Sequence, residues 1–208
     1  MAARTSREIE VKLPVSDLTA IILQLQSLGA VPFGRVFEQN TLYDTSGSDF
    51  RHTGRLLRLR VESPARSALI HAGPAKAVLT SKAPVPPGAQ QRRFHKRDRG
   101  RYKEKLETEL AIESPRRWPR ILETLGFRPG FRYEKYRSTF RLRNLHLDLD
   151  ETPVGIFLEL EGRPKAIDSV AHRLGYMPRE YVRLTYWDLY AANCRRRGLE
   201  PANMLFDT

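Results

Sequence analysis

The sequence predicts an α+β fold: eight antiparallel strands closing into a barrel with a polar interior, and helices packed outside it. Three observations carry this expectation. Charged residues alternate with aliphatic ones along several short segments. Acidic pairs and basic pairs lie on different segments. A pattern of strand, helix and further strands in the first half recurs in the second, so the chain reads as a pseudo-repeat.

The first segment is Glu8-Ile9-Glu10-Val11-Lys12-Leu13. On a strand, period 2 sends Glu8, Glu10 and Lys12 to one face. Two carboxylates that close repel unless positive charge, most simply a divalent metal, lies between them. Taken alone, the same stretch also describes an amphipathic strand with its charged face in water. Next comes a helix capped by Ser16 or Asp17, with Leu18, Ile21, Ile22, Leu25 and Leu28 in one apolar stripe and Gly29 as its stop. Arg58 and Arg60 then share a strand face opposite Leu57, Leu59 and Val61, and Lys82 ends a short strand over 77–82.

In the second half Lys103, Lys105, Glu107 and Glu109 alternate with apolar or neutral residues. Ser114 is placed to cap the second helix, with Pro115 at its first position and Gly126 after its end. Pro119 inside that segment predicts an irregular first turn. Lys135 and Arg137 share a face in the strand 133–142, Asp148 and Asp150 alternate with leucines, and Glu159 and Glu161 bracket Leu160. Tyr186, Trp187, Tyr190, Ala191 and Cys194 fall on a final helix ended by Gly198, expected to dock on the outside of the barrel.

The repeat is visible in Leu25, Leu28, Gly29, Pro32 and Arg35, which recur 97 positions later as Leu122, Leu125, Gly126, Pro129 and Arg132. Glu107 and Glu109 stand before the second copy as Glu8 and Glu10 stand before the first, though Lys12 is matched by Ala111 and the spacing drifts by two. A solvent-facing sheet would intersperse its charges within each strand. Sorting by strand instead fits a closed sheet whose charged faces point inward, where cationic phosphate ligands and carboxylates for hard cations share one cavity. The apolar faces then point outward to the helices.

Composition fits one domain over residues 1–208, with a barrel core of about 4–163 and a helical segment of about 164–208. At 208 residues and 40% hydrophobic content the chain can bury a sizeable core. No apolar run approaches the roughly 20 residues of a membrane span, and the first ten residues lack a secretory stretch. A lone Cys194 suits a reducing compartment and packing, which places the protein in the cytoplasm. The net charge of +12 points to anionic partners. Much of it lies in the basic run 92–101, read as a loop that captures polyanions or simply meets solvent. Sequence-specific nucleic-acid binding has little support without a reading helix or interleaved aromatics.

Glu-Ile-Glu-Val-Lys at 8–12 resembles the Glu-x-Glu-x-Lys signature of the CYTH superfamily, the triphosphate tunnel metalloenzymes. This group includes class IV adenylyl cyclases, thiamine triphosphatases and inorganic triphosphatases. The resemblance continues in order through 39–45, 57–60, 79–82, 106–109, 134–141, 147–151 and 155–162. It implies a tunnel that binds a triphosphate and two divalent cations, Mg2+ or Mn2+. By that resemblance Glu8, Glu10, Glu159 and Glu161 are metal ligands, joined by Glu107, Glu109 and Asp150. Arg58, Arg60, Lys82, Lys135 and Arg137 hold phosphates, Lys105 adds a further contact, and Lys12 lies beside them as a catalytic group with Glu8 and Glu10. Asp148 shares the inward face behind these. The implied activity is metal-dependent hydrolysis of tripolyphosphate, thiamine triphosphate or another triphosphate. The alternatives are conversion of ATP to cyclic AMP and pyrophosphate, and noncatalytic binding of polyphosphate, nucleotide or RNA. A monomer or a homodimer is compatible with either.

Overall fold

Period 2 in the charged segments becomes a closed antiparallel barrel of eight strands. The computed structural model describes residues 4–86 and 100–207. In chain order the strands are β1 (Arg4–Val15), β2 (Val31–Asp44), β3 (Leu56–Ala65), β4 (Lys76–Pro84), β5 (Lys103–Ala111), β6 (Arg128–Leu142), β7 (Leu145–Thr152) and β8 (Gly155–Glu161). The helices are α1 (Leu18–Ser27), the single turn α2 (Asp49–His52), α3 (Trp118–Thr124), α4 (Pro164–Arg173) and α5 (Tyr186–Arg196). Residues 92–99 of the basic run lie outside the described residues. Arg101, at its end, reaches Asp168 of α4 at 3.0 Å.

Around the barrel the order is β1-β5-β4-β3-β2-β6-β7-β8. Each half therefore has the expected strand, helix and three-strand meander, but the leading strands are exchanged. β1 pairs with β8 of the second half, and β5 pairs with β4 of the first. The two exchanged strands then pair with each other, so Glu8 faces Lys105 and Glu10 faces Lys103. This exchange closes the sheet.

The inside and outside follow the alternation. Ile9, Val11 and Leu13 of β1 point outward and pack with Ile21, Ile22 and Leu25 of α1 and Ile167, Val170 and Ala171 of α4. Leu122 of α3 covers Tyr43 and Leu59 on the other side. A fully buried aliphatic side chain is worth about 1.5–3 kcal/mol, so these covers supply the apolar burial that an inward-charged barrel lacks. Asp17 is the cap of α1, its carboxylate accepting from the Ala20 amide at 2.9 Å. Gly34, at φ 136°, sits at a bulge in β2 where a Cβ would meet Gly73 Cα at 2.7 Å, so the 71–73 segment can pair closely there.

Two expectations are corrected. Ser114 makes no side-chain cap. A 3-10 turn over Pro115–Arg117 precedes α3, which begins at Trp118. Pro119 then falls in the first helical turn, where its missing N–H has no partner to lose. The strand expected from 133 starts at Arg128, because its early residues pair with the far end of β2. The aromatic stripe of α5 docks outside the barrel as expected, though not on the apolar outer faces of the strands. Helix α5 lies outside the strands but across one end of the barrel, against the inward-facing Phe131, Tyr133 and Phe157. Those inward positions turn apolar at that end and require cover. The C-terminal residues continue from it, with Met204 pairing beside Tyr133 of β6 and fully buried.

Leu25→Ala is expected to lower the unfolding free energy by about 2–5 kcal/mol through the cavity it leaves under α1. Asp17→Ala should cost about 1 kcal/mol through the lost cap. Urea denaturation with an unchanged slope is the measurement, and equal losses for the two would contradict this division between core and cap.

Candidate active site in the barrel lumen

The inward faces bring nearly all the sequence-predicted residues into one lumen, where Glu8, Glu10, Lys12, Arg58, Arg60, Lys135, Asp148 and Asp150 are all buried. They separate into two connected regions. The register of β2, β3 and β6 builds a cationic region, and the junction of β1, β5 and β8 builds an acidic one.

In the cationic region Lys135 and Arg137 converge on Asp150. Lys135 Nζ donates to Asp150 Oδ2 at 2.8 Å, while Arg137 forks onto both carboxylate oxygens at 2.7 and 2.6 Å. Arg137 also reaches Glu159 at 2.7 Å and Asp148 at 2.7 Å. Arg58 donates to Thr80 at 3.2 Å, and Arg60 lies 3.4 Å from Glu109. Below them sits Glu38, fully buried, 3.4 Å from Lys135, 3.6 Å from Arg137 and 3.8 Å from Arg60. Burial pushes its carboxyl up, but Lys135, Arg137 and Arg60 outweigh burial and hold it well below the usual carboxylate range. Glu38 Oε1, Asn40 Oδ1 and Arg58 Nε are buried without a hydrogen-bond partner. Unpaired acceptors and an unpaired donor in one place leave hydrogen-bonding capacity for a polar occupant.

In the acidic region Lys82 Nζ bonds both oxygens of Glu8 at 2.7 and 2.6 Å and lies 3.1 Å from Glu107. Lys103 donates to Glu10 at 2.7 Å. Lys12 lies between Glu159 at 2.9 Å and Glu10 at 3.3 Å. Burial followed by the Glu10 carboxylate pushes the Glu8 carboxyl up to about 7, against the pull of Lys82. Glu10 is driven the other way, because Lys12 and Lys103 outweigh its burial. Burial opposes the charge of Lys12, but Glu10 and Glu159 more than compensate, so the ammonium stays protonated at neutral pH.

The donor set can be tested against a hard divalent cation. Directly paired positions across the sheet include Glu10 with Glu161 and Asp148 with Glu159, like charges that destabilise one another unless a cation intervenes. The raised carboxyl of Glu8 comes first from burial and then from the neighbouring Glu10 carboxylate. All the donors are oxygens, which suits Mg2+ or Mn2+. Among the described residues, however, no three such groups already stand together as a cage. In this conformation Glu8, Glu10 and Glu159 are turned to Lys82, Lys103 and Lys12. The donor chemistry suits a divalent cation, which would take the place of ammonium groups on Glu8, Glu10 and Glu159, with Glu107 and Glu161 adjoining. Glu109 and Asp150 are engaged instead by arginine and lysine in the cationic region.

Lys105 points toward the rim, donating to Gly54 O at 2.7 Å. Sequence reasoning did not assign roles to Glu38, Thr80, Lys103 or Tyr186. Lys103 shares the inward face of β5 and could have been found from its alternation. Glu38 sits in a run of polar residues where alternation gives no signal. A groove of about 480 Å³ along α4, lined by Lys165, His172, Arg173, Tyr176 and Tyr181 among others, lies on the outer surface away from these groups.

With this geometry in view, residues 6–173 match the CYTH domain family. A Methanocaldococcus jannaschii protein provisionally named an adenylate cyclase is 26% identical over 155 residues, covering 74% of this chain and 75% of its own. Among solved structures, a Vibrio parahaemolyticus protein provisionally titled an adenylate cyclase is similar with a TM-score of 0.66 at 18% identity, over 88% of this chain and 96% of its own. A Hippeastrum protein is similar with a TM-score of 0.55 at 18% identity, over 93% of this chain and 97% of its own. Its title describes a provisionally named adenylyl cyclase with a dominant triphosphatase activity. At these identities the structural likeness is one of fold.

Asp148 offers a check on the lumen's electrostatics. Burial raises its carboxyl, but Arg137 and the His146 hydrogen bond outweigh burial and bring it to about 2, from 3.8 ordinarily. A carboxyl depressed by folding adds stability above its unfolded pKa and loses it as pH falls through the folded one. Asp148→Asn is therefore expected to cost about 2 kcal/mol near neutral pH. The gap to wild type should close between about pH 4 and about pH 2, read by urea denaturation across pH. A gap constant over that window would contradict the pairing.

Proposed function

The chain belongs to the CYTH domain family, and from that premise we propose that it hydrolyses a triphosphate in a divalent-metal-dependent reaction inside the barrel. The observation that carries the proposal is the sorting of the lumen into a cationic cradle and an adjoining cluster of carboxylates. A noncatalytic anion binder gains nothing from carboxylates beside its ligand, since they repel it.

In this reading the triphosphate oxygens take the place of carboxylate partners on Arg58, Arg60, Lys135 and Arg137. Arginine forks match two phosphate oxygens at once, and lysine adds compact charge. Lys82, placed in the acidic region by its contacts with Glu8 and Glu107, meets the end of the triphosphate nearest that cluster. Lys12, held protonated by Glu10 and Glu159, acts as a fixed positive charge at the reacting phosphoryl group and not as a base. Glu8, Glu10, Glu159 and Glu161 hold the cation. When bound, Mg2+ or Mn2+ supplies Lewis-acid charge to the phosphoryl oxygens and makes an attacking water more acidic.

Hydrolysis is favoured over cyclisation because water needs no placement of a sugar, whereas cyclisation requires the ribose 3′-hydroxyl aimed at the α-phosphorus. The dominant triphosphatase activity described for the Hippeastrum protein supports this choice. The cyclase names of other relatives make cyclic AMP the product to look for as its rival.

The test is a panel of tripolyphosphate, thiamine triphosphate and ATP with Mg2+ or Mn2+, with every product identified. Metal-dependent phosphate release is expected, and cyclic AMP with pyrophosphate as the product from ATP would replace hydrolysis by cyclisation. Glu10→Gln should reduce kcat by about 100-fold or more with the fold retained, and full activity in that variant would overturn the assignment. Arg58→Ala should raise KM for the triphosphate about tenfold or more through a lost charge-assisted contact.

A further inference from the structure

Tyr186 is the first residue of α5, in a part of the chain beyond the residues that match the family. Its side chain nevertheless reaches the lumen. The hydroxyl donates to Asp150 Oδ2 at 2.5 Å. The ring lies under two ammonium groups, with Lys12 Nζ 5.2 Å and Lys135 Nζ 5.0 Å from its centroid. Tyr133 and Phe157 flank it with ring centroids 5.8 and 6.0 Å away, so its own rotamer is fixed by packing. One side chain thus touches a lysine from each region of the lumen and the carboxylate that organises the cationic one.

We propose that Tyr186 is a positioning residue of the phosphate cradle: it holds Lys12 and Lys135 on its ring face and restrains Asp150 through its hydroxyl. The inference rests on the triphosphate reading above and adds to it the contribution of α5. A ring attracts an ammonium without neutralising it. A carboxylate in the same place would form an ion pair that the incoming phosphate must break. The hydroxyl bond works in the same direction. Asp150 has a limited number of acceptor sites, and Arg137 and Lys135 already compete for them. A neutral donor on Oδ2 weakens the hold of Asp150 on Lys135 and leaves that ammonium available to an anion.

Two conservative variants of the full chain separate the ring from the hydroxyl. In Tyr186→Phe the ring stays and the donor goes. In Tyr186→Leu both go. Thermal unfolding identifies properly folded material, and if the leucine variant does not fold the phenylalanine variant alone decides. Lysine side-chain NMR of the metal-free protein reads the ring contact without any substrate. The ring-current shifts of the Lys12 and Lys135 terminal methylenes are expected to persist in Tyr186→Phe and to vanish in Tyr186→Leu. Calorimetry with inorganic tripolyphosphate in EDTA then reads the cradle. Dissociation constants should rise about 3- to 10-fold for Tyr186→Phe and more for Tyr186→Leu. In turnover, KM should rise with kcat little changed, as expected for a group that orders binding and does not join the chemical step. Lysine shifts that do not depend on the ring, or variants that bind tripolyphosphate as the wild type does, overturn the role of Tyr186 and leave the triphosphate reading standing. A wild-type protein that binds no tripolyphosphate overturns that reading and this inference together.

Discussion

The structure depends on compensating charges enclosed within its own barrel. Removing an ion from water costs several kcal/mol even after relaxation, and a buried pair recovers this only with close contacts and satisfied hydrogen bonds. The lumen meets that condition by sharing. Arg137 touches Asp148, Asp150 and Glu159, Lys12 lies between Glu10 and Glu159, and Lys82 bridges Glu8 and Glu107. Such a network adds little net stability. The barrel is held instead by its outer apolar faces under α1, α3 and α4, which leaves the interior free to be organised for binding.

The exchange of leading strands turns this constraint into a site. Had β1 remained beside β4 of its own half, Glu8 and Glu10 would adjoin the strand of Lys82, and Glu161 would no longer stand opposite Glu10. Because β1 pairs with β8, Glu10 stands opposite Glu161 and Lys12 opposite Glu159. Because β5 pairs with both β1 and β4, Lys103 meets Glu10 and Glu107 meets Lys82. The acidic region is therefore made from both copies of the repeat, while the cationic region forms where β2 and β3 of one copy meet β6 of the other.

This history explains what could be read from the sequence. Strict alternation in Glu8-Ile9-Glu10-Val11-Lys12 and in Leu57-Arg58-Leu59-Arg60 identified strands and the inward face together, since each flank carried an unambiguous apolar signal. Glu38 escaped because Phe37, Glu38, Gln39, Asn40 and Thr41 alternate only weakly, and its importance arises from Arg60, Lys135 and Arg137 brought to it by pairing. Ser114 misled because its residue type permits capping while the following proline and basic residues favour a 3-10 turn. Tyr186 was legible as an apolar-face residue but not as a lumen residue. Where an aromatic stripe docks depends on which barrel end offers apolar positions, and Phe131, Tyr133 and Phe157 show this only once their strands are aligned.

The same alignment gives the lumen a direction. Along β6 the inward positions read Phe131, Tyr133, Lys135, Arg137, and along β8 they read Phe157, Glu159, Glu161. Each strand passes from aromatic to charged, and α5 covers the aromatic end. An anion cannot gain from approaching that covered end, where low polarity would strip its water without supplying donors. It gains most at the first level above, where Lys135, Arg137 and Lys12 meet, because the aromatic floor limits competing solvent and strengthens each charged contact. On the proposed triphosphate reading, an extended polyanion would have one end set by the floor and its remaining charge directed along the lumen toward Lys82 and the carboxylates. On the same reading, the aromatic cap would set the register of the bound chain and so the placement of its last phosphoryl group against Glu8 and Glu10.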